Sequence, residues 1–444
     1  MSDIRYASAY VEKQIAGSGK ESGSRKSLLR VTSASLAGTT LEFYDHFIYG
    51  TASALVFPKV FFTQMTPQLA LLLSLVTYGI AFVARPIGAV IFGHFGDRIG
   101  RKNMLVAALF IMGLATFLIG CLPGYATAGP LGAYCLCALR LLQGIALGGE
   151  WGGAALMVNE FAKESKYKGF LGSMVQIASP IGFLLASGIF AMLTNLLPDE
   201  SFLSWGWRVP FVASAFLVIV GLYIRLGITE SPEFLENKKL APTHEAVPIY
   251  TVLKHHCGRL LLAIGTRIGS DIAFYVFALF PLVYLPHIGI PKQVALHASI
   301  AAALGQACGI PLFGYFCDRF STHAVLAFGA IANLIWAFVF FTLLDTGNTG
   351  IILAAAFVAL FLLAAMWAPL AAHLPRMFPV EVRFTGAGLG FQAAGILGGA
   401  LAPGICLTLL RSQGTMSISL YLGATLVLAL CCISASYSSM KRRP

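Results

Sequence analysis

Residues 93–102 have the sequence GHFGDRIGRK, a charged, glycine-rich segment that is expected to form a hairpin between two long apolar runs. Residues 314–320 have the sequence GYFCDRF, and their Gly, Phe, Asp and Arg positions recur with the same spacing 221 residues later. A second repeat, at an offset of 217 residues, relates the segments that follow Phe161 and Phe378. Both repeats run in the same direction, so we expect two membrane-embedded halves related by an axis along the membrane normal.

The composition is that of a protein with many membrane spans. Of the 444 residues, 57% are hydrophobic and 11% are charged, whereas soluble domains carry roughly 25% charged residues. The mean hydropathy is +0.79. The apolar runs are continuous and close to the ~20 residues that a helix needs to cross a bilayer, which favours helices over a barrel. The predicted spans are 32–57, 69–92, 103–123, 131–158, 169–196, 208–227, 260–285, 293–316, 324–344, 350–373, 385–410 and 416–437.

The distribution of Lys and Arg predicts the orientation. With the N-terminus inside, 23 of the 30 basic residues fall on the cytoplasmic side or beside it, and four fall on the other side. Basic residues remain on the cytoplasmic side of membrane proteins, so both termini are predicted to be cytoplasmic. The expected organisation is a tail (1–30), a six-helix half (31–228), a cytoplasmic linker (229–258), a second six-helix half (259–438) and a short tail (439–444).

Several classes of function are disfavoured. The net charge of +11 lies in the connections between apolar runs, so it does not predict nucleic-acid binding. The nine cysteines form no C-x-x-C or His/Cys spacing, and we expect no metal site and no cofactor. No nucleophile–base constellation is visible, so an enzyme is not expected. No Walker A sequence occurs, so the energy source is predicted to be something other than ATP.

Ionisable residues inside spans are costly and therefore point to function. Arg140 lies near the midplane of the fourth span, where its planar guanidinium suits a carboxylate. Glu42 and Asp45 lie on one face of the first span, and two close carboxylates in a low dielectric favour proton binding by one of them. His46 follows directly and is a further candidate for proton coupling. The alternative is that one of these acids only neutralises Arg140.

Four more charged residues lie within predicted spans. Arg267 and Asp271, four residues apart in the seventh span, are either a self-satisfied pair or part of the site, with Arg267 on substrate and Asp271 on a proton. Glu150 lies in a glycine-rich stretch and is predicted to gate or to pack a helix crossing. Arg85 is expected near the cytoplasmic end of the second span, where a gating pair is favoured over substrate contact.

Six motifs stand out along the chain: EFYD (42–45), GHFGDRIGRK (93–102), RLLQG (140–144), GGEWGG (148–153), WGWRVPF (205–211) and ESPEF (230–234). Together they resemble the metabolite:proton symporter family of the major facilitator superfamily, and the likeness covers residues 30–437. Within that family the sequence looks most like the shikimate, alpha-ketoglutarate and proline/betaine transporters. The resemblance implies an all-α membrane protein with twelve transmembrane helices in two pseudo-symmetric six-helix halves, located in the plasma (inner) membrane.

The resemblance also assigns gating residues. In the first copy of the charged segment these are Gly93, Asp97, Arg98, Gly100, Arg101 and Lys102, and in the second copy Asp318 and Arg319. Asp97 is expected to accept from a helix N-terminus across the interface between the halves. The second copy has Thr322 and His323 in place of the trailing Arg-Lys, which weakens the expectation of a symmetric gate.

Four further residues are candidates for lining the substrate cavity, only because they lie close in sequence to the residues above: Tyr44, Trp151, Tyr275 and Gln392.

The resulting hypothesis is a secondary transporter that imports a small organic acid with protons by alternating access. Its expected partners are the acid, protons and the lipid bilayer, and the protein is expected to be monomeric. Three alternatives remain: a proton-independent uniporter of the same fold, a drug:proton antiporter, and a membrane-embedded metabolite sensor. The midplane Arg140 argues against a cationic drug, and no soluble signalling domain supports a sensor.

Overall fold

The computed structural model describes residues 32–162, 165–226 and 248–441, without the side chains of a few residues that include Asp97 and Arg101. Within these ranges the chain is helical and contains no strand. The long helices are α1 (32–55 in its described part), α2 (Pro67–Ile99), α3 (Arg101–Cys121), α4 (Leu131–Phe161), α5 (Lys168–Gln176), α6 (Ala178–Leu196), α7 (Arg208–Leu226), α8 (Pro248–His255), α9 (Cys257–Phe274), α10 (Lys292–Arg319), α11 (Thr322–Leu344), α12 (Thr349–Arg376), α13 (Arg383–Gly395), α14 (Ala402–Gln413) and α15 (Thr415–Lys441). Shorter turns of helix are Phe57–Val60, Tyr125–Ala128, Asp199–Ser201, Phe202–Gly206, Tyr275–Leu279, Pro281–His287, Val380–Val382 and Ile396–Leu401.

The number of membrane-crossing helices agrees with the predicted fold. Among the described residues, ten helices are long and apolar enough to cross a bilayer, and the bent pair Asp199–Gly206 and Arg208–Ile224 makes eleven. Helix α1 is about 36 Å long at 1.5 Å per residue, enough for a twelfth span. It is less apolar than the others because Glu42, Asp45 and His46 lie within it, and all three are buried in the protein rather than exposed to lipid.

The outer surface of the bundle is apolar, as a lipid-facing surface must be. On α2 the side chains of Leu72, Val76, Val83 and Ile87 are all more than half exposed, and their spacing places them on one helix face. Soluble monomers rarely expose apolar surface of this extent. The opposite face of α2 packs against α4, which brings the polar side chains of both helices into the interior.

The sequence predicted a hairpin over residues 93–102, and the structure refines it. Helix α2 continues through Gly93 to Ile99, and the chain turns only at Gly100, whose φ of 122° favours glycine. Helix α3 then begins at Arg101. The charged segment is therefore mostly the end of a long helix, because glycine does not break a helix that neighbouring helices hold in place.

Part of the predicted linker is helical. Helix α8 (Pro248–His255) lies within it and packs against the ends of α2, α9 and α13. Residues 227–247 of the linker lie outside the described part of the chain.

Glycines allow α2 and α4 to approach until their backbones touch. A Cβ on Gly88 would overlap the carbonyl oxygen of Ile145, and one on Gly148 would overlap the carbonyl oxygen of Arg85. Membrane helices associate mainly through such close packing, since lipid gives no hydrophobic drive between them. This contact fixes the position of Arg85 relative to the polar residues of α4.

We predict that Gly88→Ala destabilises the protein by about 1–3 kcal/mol, because the added methyl group meets backbone that cannot rotate away. Gly79→Ala on the same helix is the matched control, since nothing lies within 4 Å of its Cβ position. Thermal melting of the purified protein in detergent compares the two variants. Equal melting temperatures would contradict this account of the α2–α4 contact.

Candidate functional site

Ionisable side chains from four helices lie in the interior of the bundle. All of them are buried except that of Arg85, which is partly buried. We call this group the central cluster. It consists of Glu42, Asp45 and His46 on α1, Arg85 on α2, Arg140 and Glu150 on α4, and Arg267 and Asp271 on α9.

Two arginines converge on one nitrogen atom of His46. The Nη2 of Arg85 and the Nη2 of Arg140 lie 3.0 and 3.3 Å from Nδ1 of His46. A guanidinium can only donate, so Nδ1 must be the acceptor and the ring proton must be on Nε2. Nε2 then donates to the hydroxyl oxygen of Tyr78 at 2.6 Å. His46 is thus a neutral acceptor shared by two cations.

Arg140 is buried without an ion pair to any carboxylate in the described part of the chain. Its Nη1 donates to Oε1 of Gln143 at 3.1 Å, and its Nε has no hydrogen-bond partner. The guanidinium lies over the rings of Tyr49 and Tyr78, at 4.0 and 5.1 Å from their centroids. Ring faces and neutral acceptors stabilise the charge only in part, so the group retains a strong attraction for an anion.

A chain of hydrogen bonds connects Arg140 to Asp45. Gln143, which accepts from Arg140, donates to the hydroxyl oxygen of Thr116 at 2.6 Å. That hydroxyl group lies 2.8 Å from Oδ2 of Asp45 and 3.0 Å from the carbonyl oxygen of Met112. Asp45 and Arg140 therefore interact through two intervening side chains rather than as a direct pair.

The second half contributes Arg267, which packs against an aromatic wall formed by Phe391 and by Trp151 of the first half. Arg267 forms an ion pair with Oδ1 of Asp271 at 3.1 Å and donates to the carbonyl oxygen of Phe391. Its guanidinium lies over the Phe391 ring, 3.1 Å from the centroid, and the Trp151 ring stacks on Phe391 with 3.4 Å between the centroids. Oδ2 of Asp271 is buried without a hydrogen-bond partner. The Arg267–Asp271 pair is thus satisfied on one carboxylate oxygen only.

Formal charges in the central cluster do not cancel. It contains four carboxyl groups and three guanidinium groups, while the hydrogen bonds of His46 identify that ring as neutral. With every acid ionised, the cluster carries one net negative charge. In a low-dielectric interior such an imbalance favours the binding of one proton.

The other predicted cavity residues occupy different places. The hydroxyl of Tyr44 donates to the carbonyl oxygen of Pro210, and Tyr275 packs near Phe280 rather than in the central cluster. Trp151 donates from Nε1 to Gln176 and lines the aromatic wall. Gln392 follows Phe391 and donates to the carbonyl oxygen of Leu147, which connects the two halves.

One expected position requires correction. Arg85 does not lie near the end of its span: it is the nineteenth residue of the 33-residue helix α2, in contact with His46. The sequence suggested an end position because the apolar run stops at the charged segment, whereas the helix continues through it.

The second copy of the charged segment bridges the halves. Both carboxylate oxygens of Asp318 accept backbone N–H groups at the start of α5, from Gly169 at 2.6 Å and from Phe170 at 2.9 Å. This is a contact of the kind expected for Asp97, and it occurs in the copy that departs more from the pattern. Cross-half hydrogen bonds from Asn159 to Ala371 and from Gln176 to Trp367 lie nearby.

The remaining gating candidates are at the corresponding end of the first half. A Cβ on Gly93 would lie 2.9 Å from Cα of Thr385, so this glycine permits a close contact between α2 and α13. Lys102 donates to the carbonyl oxygen of Leu226, while Arg98 and Arg319 are exposed. The side chains of Asp97 and Arg101 lie outside the described part of the structure.

Sequence reasoning missed the neutral residues that organise the cluster: Tyr49, Tyr78, Thr116, Gln143 and Phe391. Only Gln143 gave a signal, because it lies three residues after Arg140 and therefore on the same helix face. The others reach the site from separate helices, and only the packing of those helices brings them together.

Comparisons with known proteins agree with this architecture. The "Sugar (and other) transporter" family matches residues 31–247. The inner membrane metabolite transport protein YhjE of Escherichia coli K12 is 42% identical over 401 residues, or 89% of this chain and 91% of that protein. The shikimate transporter of the same organism is 36% identical, over 91% of this chain and 92% of that protein.

A solved structure shows the same fold. The proton:xylose symporter XylE superposes with a TM-score of 0.73 and 18% identity, over 92% of this chain and 95% of that chain. Proteins of this kind are transporters and not enzymes, and they are embedded in the membrane by multiple spans. This chain therefore belongs to the major facilitator superfamily, among its transporters of metabolites.

Proposed function

We propose that this transporter imports a small organic acid together with protons, by alternating access across a bacterial inner membrane. In this proposal both termini are cytoplasmic, as the distribution of Lys and Arg predicts. The names of its relatives, which include an inner membrane metabolite transporter and a shikimate transporter, support the location and the class of substrate.

The observation that carries the proposal is the convergence of Arg85 and Arg140 on the single acceptor Nδ1 of His46. A substrate carboxylate offers two anionic oxygens where His46 offers one neutral nitrogen. A carboxylate adds the attraction of opposite charges and a second acceptor atom, neither of which the neutral nitrogen offers, so it is the better partner for both guanidiniums. We therefore assign the carboxylate of the substrate to Arg140 and Arg85, with the ring of His46 displaced.

Proton coupling follows from the same charge balance. The cluster already has one more carboxyl group than guanidinium groups, and an anionic substrate would add a second net negative charge. One proton taken up with the substrate restores the original balance. Glu42, Asp45, His46 and Asp271 are the groups proposed to receive it, and Asp45 has the contacts that suit this role best.

The hydroxyl group of Thr116 can form a hydrogen bond with Asp45 in both protonation states of the acid. When Asp45 is ionised, the Thr116 hydroxyl donates to Oδ2 at 2.8 Å. When Asp45 is protonated, the acid donates to Thr116, whose hydrogen turns to the carbonyl oxygen of Met112 at 3.0 Å. No buried donor is left without an acceptor in either state, so protonation carries little cost in hydrogen bonds.

Alternating access requires that contacts between the halves break and re-form. The Asp318 cap on α5 and the cross-half bonds of Asn159 and Gln176 are located toward the predicted cytoplasmic ends of their helices. We propose that they close the cytoplasmic side and open when the loaded halves rock. Arg98, Arg101, Lys102, Asp97 and Glu150 are proposed to belong to the same closure.

Transport by purified protein in liposomes tests the proposal. An inward proton gradient is imposed, and labelled shikimate, 2-oxoglutarate, citrate, benzoate and betaine are supplied with and without a protonophore. Accumulation of an acid that the protonophore abolishes supports symport. Equilibration without accumulation would favour a uniporter, and binding without uptake would favour a sensor.

We predict that Arg140→Lys lowers the apparent affinity for the transported acid by roughly 10- to 100-fold, because lysine keeps the charge but cannot engage two oxygens at once. The corresponding change at the exposed Arg411 serves as the matched control and leaves uptake unchanged. Initial rates of uptake over a range of substrate concentrations give the measurement. Near-normal affinity in Arg140→Lys would remove this residue from the binding site.

We predict that Asp45→Asn abolishes accumulation driven by a pH gradient while exchange of internal for external substrate continues. The amide is similar in shape to the protonated acid but cannot release a proton. The variant can therefore exchange internal for external substrate, but a pH gradient cannot drive accumulation. Asp199→Asn, at an exposed position, is the control. Unchanged accumulation in Asp45→Asn would exclude this carboxylate from coupling.

A further inference from the structure

An internal space lies between the two halves. Its cavity volume is about 10 Å³, so in this conformation it has room for about one water molecule. Part of a substrate enters it only when the two halves separate, as alternating access requires. Its lining includes Ser179 and Phe183 from α6, Phe274 from α9, Ser299 and Gln306 from α10, and Leu360 from α12.

Gln306 has no hydrogen bond to any described part of the chain, although its side chain is only 1% exposed. Its Nε2 is buried without a partner. Leaving a buried donor unsatisfied is costly, and such a group in a folded protein calls for an explanation. Ser299, on the same helix and in the same lining, donates to the carbonyl oxygen of Ala278 and leaves Gln306 unpaired.

Two aromatic rings separate the space from the central cluster on each side. On the first half, the Phe183 ring packs against Phe47 at 4.9 Å, and Phe47 packs against His46 at 5.4 Å. On the second half, Phe274 stacks at 6.4 Å on Trp367, whose ring faces Arg267 at 5.5 Å. In this conformation these rings close the space off from His46, and separation of the halves would join it to the proposed carboxylate site.

We infer that Gln306 determines specificity by donating an N–H from Nε2 to a hydroxyl or carbonyl oxygen on the body of the substrate. The inference rests on the proposed function and narrows its substrate class to organic acids that carry a further oxygen atom. Phe183, Phe274 and Leu360 contact the carbon skeleton, and Gln306 recognises the oxygen. Acids of the same size without that oxygen leave the amide unsatisfied and bind more weakly.

The test compares Gln306→Leu with the wild-type transporter in liposomes. The probes are two matched pairs of acids, which compete with the labelled acid that the protein transports: shikimate with cyclohex-1-ene-1-carboxylate, and malate with succinate. Gln293→Leu is the matched control, because Gln293 is exposed at the other end of the same helix. Thermal melting in detergent accompanies the assay.

We expect the wild-type protein and Gln293→Leu to prefer the oxygenated member of at least one pair by roughly 3- to 10-fold, the value of one hydrogen bond. In Gln306→Leu this preference falls below about twofold because the apolar acid binds as well as the oxygenated one. The melting temperature of Gln306→Leu does not fall, since no hydrogen bond within the protein is lost.

An unchanged preference in a Gln306→Leu protein that melts normally would overturn the inference and leave the proposed function intact. A lowered melting temperature would also contradict it, because it would show that the amide stabilises the fold. If no acid competed in the wild-type protein, the proposed function itself would be wrong, and this inference would fail with it.

Discussion

The arrangement of the bundle depends on the requirement that charges inside a membrane protein be matched by groups of the protein itself. Three guanidinium groups and four carboxyl groups lie in the interior of the bundle, and His46 on α1 accepts hydrogen bonds from Arg85 on α2 and Arg140 on α4. An unmatched charge at this depth would cost several kcal/mol. The polar helix α1 is therefore surrounded by protein, while the outer faces of helices such as α2 are apolar.

Neutral hydrogen-bonding side chains allow the central cluster to change its contacts when a proton or a substrate binds. The hydrogen bonds that connect Arg140 to Asp45 run through Gln143 and Thr116, so the proton and the substrate affect each other without sharing an ion pair. A direct Arg140–Asp45 bridge would hold both charges in place and oppose release of either ligand. A relay of hydroxyl and amide groups can change its pattern of donors at small cost.

The fold was predictable because its main determinants are local in sequence. Apolar runs near 20 residues long, the bias of Lys and Arg and the two parallel repeats indicate the spans and the twofold organisation. The identity of the central acids and of Arg140 was also predictable, since ionisable residues stand out within apolar runs. The depth of Arg85 was not predictable, because the composition of residues 93–99 does not show that they continue helix α2 rather than form a turn.

Contacts between segments that are distant in the chain could not be predicted from the sequence. Tyr78 and Thr116 are ordinary residues of apolar helices, and only packing places them against His46 and Asp45. Asp318 was expected to be the weaker gating residue because its segment lacks the trailing basic pair. Its cap on α5 depends instead on the position of Gly169, whose lack of a side chain allows α10 to approach.

The central claim is that the cluster takes up a proton when it binds the acid. The most direct measurement is the pH change of a weakly buffered detergent solution of the purified protein when a transported acid is added at neutral pH. The account predicts that about one proton is taken up from the solution for each acid bound. Binding of the acid at saturation with no uptake of protons would contradict it.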